Sequence, residues 1–187
     1  MTGVQTCALP IFTFYPNVFE SLESIAPSGL PFGVSQDRLV EKLGSPAYRL
    51  INEKAIPSHT VLFYKKSIDG MVLIYQYHFI ESRMFFVSFG ILKSRKDEDL
   101  IKSDVIKTVY SKYLDAESAR LCIGSHGLIR DTTGNVVFIE DHYDFRVNYL
   151  CREPGLCEFL NHYLDEQRKG MSHNNDDSVI SKLQASV

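Results

Sequence analysis

Residues 60–92 carry the clearest structural signal of this chain: TVLFYKKSIDGMVLIYQYHFIESRMFFVSFGIL. Three runs within it, residues 60–66, 71–80 and 84–92, are rich in Val, Ile, Phe and Tyr, which pack well on a pleated sheet. The dipeptide Asp69-Gly70, between the first two runs, readily adopts the positive φ that tight hairpin turns require. The stretch therefore predicts three consecutive strands joined by short turns.

The middle run is apolar on both faces of the strand that it predicts. Successive side chains of a strand point to opposite faces. One set is therefore Met71, Leu73, Tyr75, Tyr77 and Phe79, and the other is Val72, Ile74, Gln76 and His78. A strand of this kind is either covered on both faces, or covered on one face and used for binding on the other.

Helix signals flank the three strands. A helix is predicted from the capping residue Ser35 to Gly44, with a proline two residues beyond it that prevents continuation. Apolar residues recur at three- and four-residue spacing over residues 100–114, and a final helix is expected over residues 154–168. A weaker signal predicts a short helix within residues 17–25.

The second half of the chain predicts further strands. Residues 128–130 and 136–140 form a hairpin around the turn 131–135, and residues 143–150 alternate in the manner of a strand. Residues 120–123 are a further candidate strand. The pattern as a whole predicts an α+β fold, with an antiparallel sheet of five to seven strands and helices on one face, in the order helix-βββ-helix-ββ(β)-helix.

The composition is that of a globular protein. The 187 residues are 44% hydrophobic and 23% charged, with 12 Phe, 10 Tyr and no Trp. A chain of this length can bury a core without a disulfide or a metal. The net charge of −3, without any Lys/Arg-rich run, argues against nucleic-acid binding. No apolar run approaches the ~20 residues that cross a bilayer.

The two ends of the chain differ from its centre. Residues 1–11, MTGVQTCALPI, resemble the translation of a short-read sequencing adapter. The resemblance implies an artefactual segment from an assembled environmental bacterial sequence, so export or lipidation of the natural protein stays open. A single α+β domain is expected over residues 12–168, and a flexible polar tail over residues 169–187. The cysteines beyond residue 11 lack paired spacing, which favours reduced thiols in a cytoplasmic protein.

Residues 30–89 resemble the SmpA/OmlA-type (BamE-like) outer-membrane assembly lipoproteins and related inhibitor modules. The resemblance rests on the phrases Phe32-Gly33-Val34-Ser35, Leu39-Val40 and Leu43-Gly44-Ser45-Pro46, followed by the aromatic-rich strands. The order of elements over residues 35–168 also resembles the secretion-chaperone-like fold. Both families bind other proteins and are not catalytic, so the two resemblances imply a binding module by analogy.

Two polar clusters are candidates for catalysis, and a structural interpretation is favoured for each. Residues 140–144, EDHYD, fit a hairpin connection, because consecutive strand residues point apart. The set Cys122, Ser125 and His126 fits a buried thiol before a turn. The remaining enzymatic arrangement pairs a histidine with a carboxylate at the sheet edge: His126 or His142 with Asp131, Glu140 or Asp144. No phosphate loop or metal-ligand spacing occurs in the sequence, and no catalytic residue, metal or cofactor is predicted.

The preferred functional hypothesis is a non-catalytic protein-binding module of chaperone, adaptor or inhibitor/immunity type. Its partner is expected to be another protein or a second copy of the chain. Tyr75, Tyr77 and Phe86 are the expected partner-facing anchors, because Tyr and Phe are enriched at the centres of protein interfaces. Aromatic side chains on a sheet can also stack nucleic-acid bases, but few basic residues accompany these.

The alternative hypothesis is a small-ligand-sequestering protein of phage- or defence-related type. Soluble domains without catalytic motifs can act by enclosing a metabolite in a pocket. This hypothesis predicts a pocket between the sheet and the helices in which His78, Arg83 or Arg130 reaches an anionic ligand.

Overall fold

The computed structural model describes residues 17–51, 58–68, 70–94, 97–125, 127–141 and 144–162. Within these residues the chain forms one eight-stranded sheet with helices packed against it. The strands are β1 (Val18–Glu20), β2 (Tyr48–Ile51), β3 (His59–Ile68), β4 (Met71–Ile80), β5 (Arg83–Ser94), β6 (Leu128–Arg130), β7 (Val136–Asp141) and β8 (Phe145–Leu150). The helices are α1 (Gln36–Leu43), α2 (Glu98–Tyr113) and α3 (Ala116–Ser125), with a short 3₁₀ turn at Pro27–Gly29. Residues 154–162 are also helical.

The strands follow one another across the sheet in the order β1-β6-β7-β8-β5-β4-β3-β2. Neighbouring strands are antiparallel except for β1 and β6, which run parallel. The predicted α+β class is confirmed, but the sheet has eight strands rather than five to seven. The strands missed are the two edge strands, which have three and four residues and so carry too little alternation for a sequence signal.

The centre of the sheet is the predicted three-strand meander. Its cross-strand register places Tyr64 opposite Tyr75, and Tyr75 opposite Phe89. The turn from β4 to β5 uses Glu81 and Ser82, whose φ angles are 46° and 65°. Two consecutive positive φ angles match the right-handed twist of the strands that such a turn joins.

The helix ends follow the sequence signals. The Ser35 side chain accepts a hydrogen bond from the backbone N–H of Arg38 and begins α1, and Gly44 ends it at a φ of 82°. Asp97 begins α2 by accepting hydrogen bonds from the backbone N–H groups of Asp99 and Leu100. An oxygen-bearing side chain at this position satisfies N–H groups that have no partner inside the helix.

Two local predictions are wrong. Residues 120–123, expected as a strand, lie inside α3, which Asp115 caps through the backbone N–H groups of Glu117 and Ser118. A three-residue apolar run fits either element, and the cap five residues earlier selects the helix. Residues 18–20, expected within a short helix, form β1 instead because they pair with β6.

The two faces of the sheet are covered by different elements. We call the face that carries Tyr77 the first face and the face that carries His78 the second. Helices α1, α2 and α3 contribute to the main core on the first face, with Leu39, Val109, Tyr110, Tyr113, Ala119 and Cys122. The 154–162 helix packs through Leu156 against Ile80 and Phe86, which belong to the second face. The expectation of helices on one face is therefore wrong for this last helix.

Candidate functional site

Five aromatic rings form a continuous floor on the first face of the sheet. The ring centroids are 5.5 Å apart for Tyr64 and Tyr77, and 6.3 Å apart for Tyr75 and Tyr77. The series continues from Tyr75 to Phe89 at 4.9 Å and from Phe89 to Tyr149 at 6.4 Å. These separations lie in the range at which aromatic rings attract one another.

Strand alternation and register explain why these rings meet. Tyr75 and Tyr77 are two residues apart in β4, so both point to the first face. Tyr64 on β3 and Phe89 on β5 are the direct cross-strand neighbours of Tyr75. Tyr149 on β8 pairs with Val87, two residues from Phe89, and its ring therefore extends the series across a third strand pair.

One flank of α2 forms a wall beside this floor. The flank carries residues at three- and four-residue spacing, which share one side of a helix. They are Asp97, at the cap, and Leu100, Ile101, Asp104, Val105, Thr108, Val109 and Lys112. The opposite side is formed by the β3–β4 hairpin and by Lys42 and Leu43 of α1.

Two cavities occupy the space between the wall and the floor. One has a volume of about 710 Å³ and lies beside the N-terminal half of α2, and the other has about 620 Å³ and lies beside its C-terminal half. Tyr75, Phe89, Thr108 and Val109 line both cavities. The cavities therefore adjoin each other, and we call them together the α2 groove.

Lysines line the C-terminal cavity of the α2 groove: Lys42, Lys65, Lys66 and Lys112. The Lys42 ammonium donates a hydrogen bond to the carbonyl oxygen of Gly29 at 2.7 Å, and that of Lys112 lies 4.7 Å from the centre of the Tyr113 ring. None of the four forms an ion pair with a carboxylate of the described residues. This end of the groove therefore favours anionic groups.

The phenols of the floor remain neutral hydrogen-bonding groups at neutral pH. Burial raises the pKa of Tyr77 to about 12, although a hydrogen bond to the Ser28 hydroxyl at 2.5 Å acts in the opposite direction. Burial also raises the pKa of Tyr75 and of Tyr64. The Tyr64 hydroxyl donates to the carbonyl oxygen of Gly44. The floor thus combines apolar ring surface with fixed hydroxyl groups.

The structure separates the binding residues that the sequence predicted. Tyr75 and Tyr77 both line the α2 groove, and Tyr75 is partly exposed whereas Tyr77 is buried. His78 and Phe86 are buried together on the second face, with ring centroids 5.0 Å apart. Arg83 lines a different cleft. Sequence reasoning missed the groove lysines, because they come from three elements that only the fold brings together.

The remaining cationic candidates have other partners. Arg83 lies with its guanidinium carbon 4.4 Å from the centre of the Phe159 ring, at a cleft of about 550 Å³ that also includes Asp131 and Glu153. Arg130 donates to the Glu20 carboxylate at 2.5 Å. Neither arginine lines the pocket between the sheet and α2 that the small-ligand hypothesis requires.

Buried histidines occupy the second face near its edge. Nε2 of His59 lies 3.1 Å from Nδ1 of His78, and the two side chains are only 2% and 6% exposed. Burial lowers the pKa of His59. Burial, with smaller contributions from His59 and Arg146, lowers the pKa of His78 to about 3. Both imidazoles are therefore neutral at physiological pH and one donates its N–H to the other.

The candidate catalytic residues make structural contacts. The Asp131 carboxylate accepts hydrogen bonds from the backbone N–H groups of Ile25, Thr133 and Asn135, as a turn residue does. Glu140 accepts from the Asn148 side-chain amide. His126 and His142 lie outside the described residues.

The other candidate catalytic groups also have structural explanations. Burial raises the pKa of the Cys122 thiol to about 11, so it is protonated and a poor nucleophile at neutral pH. Glu140 and Asp141 are the last residues of β7, and Asp141 pairs with Phe145 of the antiparallel strand β8, as in a hairpin, whereas residues 142 and 143 lie outside the described residues. Across the described ranges, no group of three or more His, Cys, Asp or Glu side chains could hold a metal ion.

Comparison of the chain with protein-family models, with curated proteins and with solved structures gives no significant match. In the part of the chain that the structure describes, none of the helices has the length and apolarity needed to span a membrane.

Proposed function

We propose that the protein is a non-catalytic protein-binding module and that the α2 groove is its docking surface. The observation that carries the proposal is the continuous aromatic floor beside an open helix flank. Tyr side chains present large apolar area with little conformational freedom to lose, which is why they dominate protein-binding surfaces. Here Tyr64 and Tyr75 are partly exposed, next to the buried ring of Tyr77.

The length of the groove favours an extended segment. The flank from Asp97 to Lys112 covers fifteen helical steps, which is ~22 Å at 1.5 Å per residue. An extended chain rises ~3.3 Å per residue, so about six or seven residues fill this length. A peptide segment or a surface strand of a partner protein has this shape.

Exposed leucines at the rim support a protein partner. Leu100 beside the N-terminal cavity is 67% exposed, and Leu43 beside the C-terminal cavity is 36% exposed. A bound segment that covered both leucines would remove their apolar surface from water, which is favourable by ~25 cal/mol per Å². The rim therefore extends the apolar area that a partner can use beyond the floor.

The test blocks the groove without disturbing the core. Thr108 lines both cavities and is exposed on α2, so Thr108→Arg places a long side chain at their junction. Ser111→Arg is the matched control, because Ser111 is exposed on the same helix and is not among the groove residues. Peptides are selected from a random display library on the wild-type protein and their affinities are measured by titration calorimetry.

We expect Thr108→Arg to weaken binding of the selected peptides at least ~10-fold, which corresponds to ~1.4 kcal/mol, and Ser111→Arg to leave it within about twofold. Denaturation curves of the two variants show whether both are folded. Equal affinity of the selected peptides for wild type and Thr108→Arg would remove the groove from the proposal. Failure to select any peptide would count against peptide docking altogether.

The size of each cavity favours a second candidate function, the sequestration of a small anionic ligand. Volumes of 620 and 710 Å³ lie within the usual range of ligand sites. A thermal-shift panel of nucleotides and other anionic metabolites tests it, since a ligand at 100 times its Kd stabilises the native state by ~2.7 kcal/mol. A shift that persists in Thr108→Arg would place the ligand elsewhere.

A further inference from the structure

The charges along the α2 groove are separated by sign. Lys42, Lys66 and Lys112 line the C-terminal cavity, and Asp97 and Asp104 line the N-terminal cavity. Neither cavity combines acidic and basic side chains among its described lining residues. An extended ligand along the groove therefore meets opposite electrostatic preferences at its two ends.

These charged groups are available to a ligand. Lys66 and Asp104 form no ion pair within the described residues. Asp97 uses only Oδ1 to cap α2. The N-terminus of α2, the positive end of the helix dipole, lies near these aspartates. The negative charges of Asp97 at the cap and of Glu98 and Asp99 in the first turn offset this positive partial charge. Among the described lining residues, the charges at the N-terminal end of the groove therefore favour a cation.

The distances along α2 set the spacing of the complementary charges. From Asp104 to Lys112 the helix rises ~12 Å, and from Asp97 to Lys112 it rises ~22 Å. An extended peptide covers these distances in about four and about seven residues. Between them lie the aromatic floor and Val105 and Val109, which favour apolar side chains.

We propose that the α2 groove binds a charge-polarised extended segment, with acidic residues at one end, apolar residues in the middle and basic residues at the other end. This inference rests on the proposed function. The acidic end contacts Lys66 and Lys112, and the basic end contacts Asp104. The opposite charges of the segment stand about four to seven residues apart.

Synthetic octapeptides labelled with fluorescein test the proposal by fluorescence anisotropy. The first has two aspartates, a central Leu-Phe-Leu-Phe and two lysines, and the second has the same blocks in reverse chain order. The third has the same composition with aspartates and lysines mixed at both ends. We expect one of the two polarised peptides to bind about 10-fold more tightly than the mixed peptide at low salt, because rim ion pairs are screened by salt.

A charge swap distinguishes direct contact from a structural effect. The double variant Lys66→Glu/Asp104→Lys exchanges the signs at the two ends of the groove. Both residues are exposed, so the swap leaves the core intact. We expect the variant to prefer the polarised peptide of the opposite chain order. The control Lys107→Glu/Asp37→Lys makes the same exchange at exposed positions outside the groove residues and should leave the preference unchanged.

The outcomes separate this inference from the proposed function. Equal affinity for the polarised and the mixed peptides, combined with loss of binding in Thr108→Arg, overturns the charge pattern and retains the groove as a docking surface. An unchanged preference in the swapped variant also overturns the charge pattern. If none of the octapeptides binds and Thr108→Arg does not weaken binding of the library-selected peptides, both the charge pattern and the groove as a docking surface are overturned.

Discussion

Lowering the pH from 7 to 5 should destabilise this protein through the buried pair His59 and His78. The two rings share one hydrogen bond, and their outer nitrogens, Nδ1 of His59 and Nε2 of His78, have no partner in the structure as described. A proton on either ring would place an uncompensated charge among Phe85 and Phe86. The unfolded chain, in contrast, can take up protons at an ordinary histidine pKa near 6.5.

The size of the effect follows from the difference in pKa between the two states. The pKa of His78 is lowered from 6.5 to about 3 in the folded protein. Its contribution to stability is therefore fully present above pH 6.5 and is lost progressively as the pH falls toward 3, at ~1.36 kcal/mol per pH unit. At pH 5 the loss from His78 is about 2 kcal/mol, a substantial part of the 5–15 kcal/mol typical of a domain. His59 acts in the same direction.

Guanidinium denaturation between pH 7 and pH 5, followed by circular dichroism, measures this loss. The variant His59→Gln/His78→Gln should lose the slope between pH 6.5 and 5, whatever its stability at pH 7. NMR of the wild-type imidazole protons is an independent measurement, in which neither buried ring should titrate near pH 6.5. A wild-type stability that is flat over this range, or a His78 resonance that titrates near 6.5, would refute the reasoning.

Three further predictions concern other local features. Asp131→Asn should lower the free energy of unfolding, measured by denaturation, by about 2–3 kcal/mol, because the carboxylate accepts hydrogen bonds from three backbone N–H groups. The control Asp144→Asn, at an exposed position, should change it by no more than ~0.5 kcal/mol, and similar losses for both variants would contradict the buried-turn interpretation. Gly124→Ala, inside α3 with open space at its Cβ, should raise stability by ~0.5–1 kcal/mol. Gly44→Ala, at a φ of 82° and a ψ of −171°, should lower stability by more, about 1–3 kcal/mol, and the same sign for both changes would be inconsistent with their conformations. The buried Cys122 should react with a thiol reagent at pH 8 only after unfolding, and rapid labelling of the native protein would show that it is accessible.

Several features of the fold follow from short-range patterns. The alternation in residues 71–80 places Tyr75 and Tyr77 on one face, whichever strands lie beside them. Ser35 and Gly44 delimit α1 through contacts within a few residues. The same holds for the turn 131–135, whose hydrogen bonds are mostly internal. In each case the determining interactions join residues close in the chain, so the sequence alone is sufficient.

The α2 groove depends on interactions that no local pattern encodes. Lys42, Lys66 and Lys112 are separated by more than twenty residues in the chain and meet only because α1, β3 and α2 cover the same face. The pairing of His59 with His78 requires the register of β3 against β4. Likewise, β1 becomes a strand only because β6 supplies its hydrogen bonds. Hydrogen bonding and burial between distant segments form these features, and their partners are absent until the sheet is assembled.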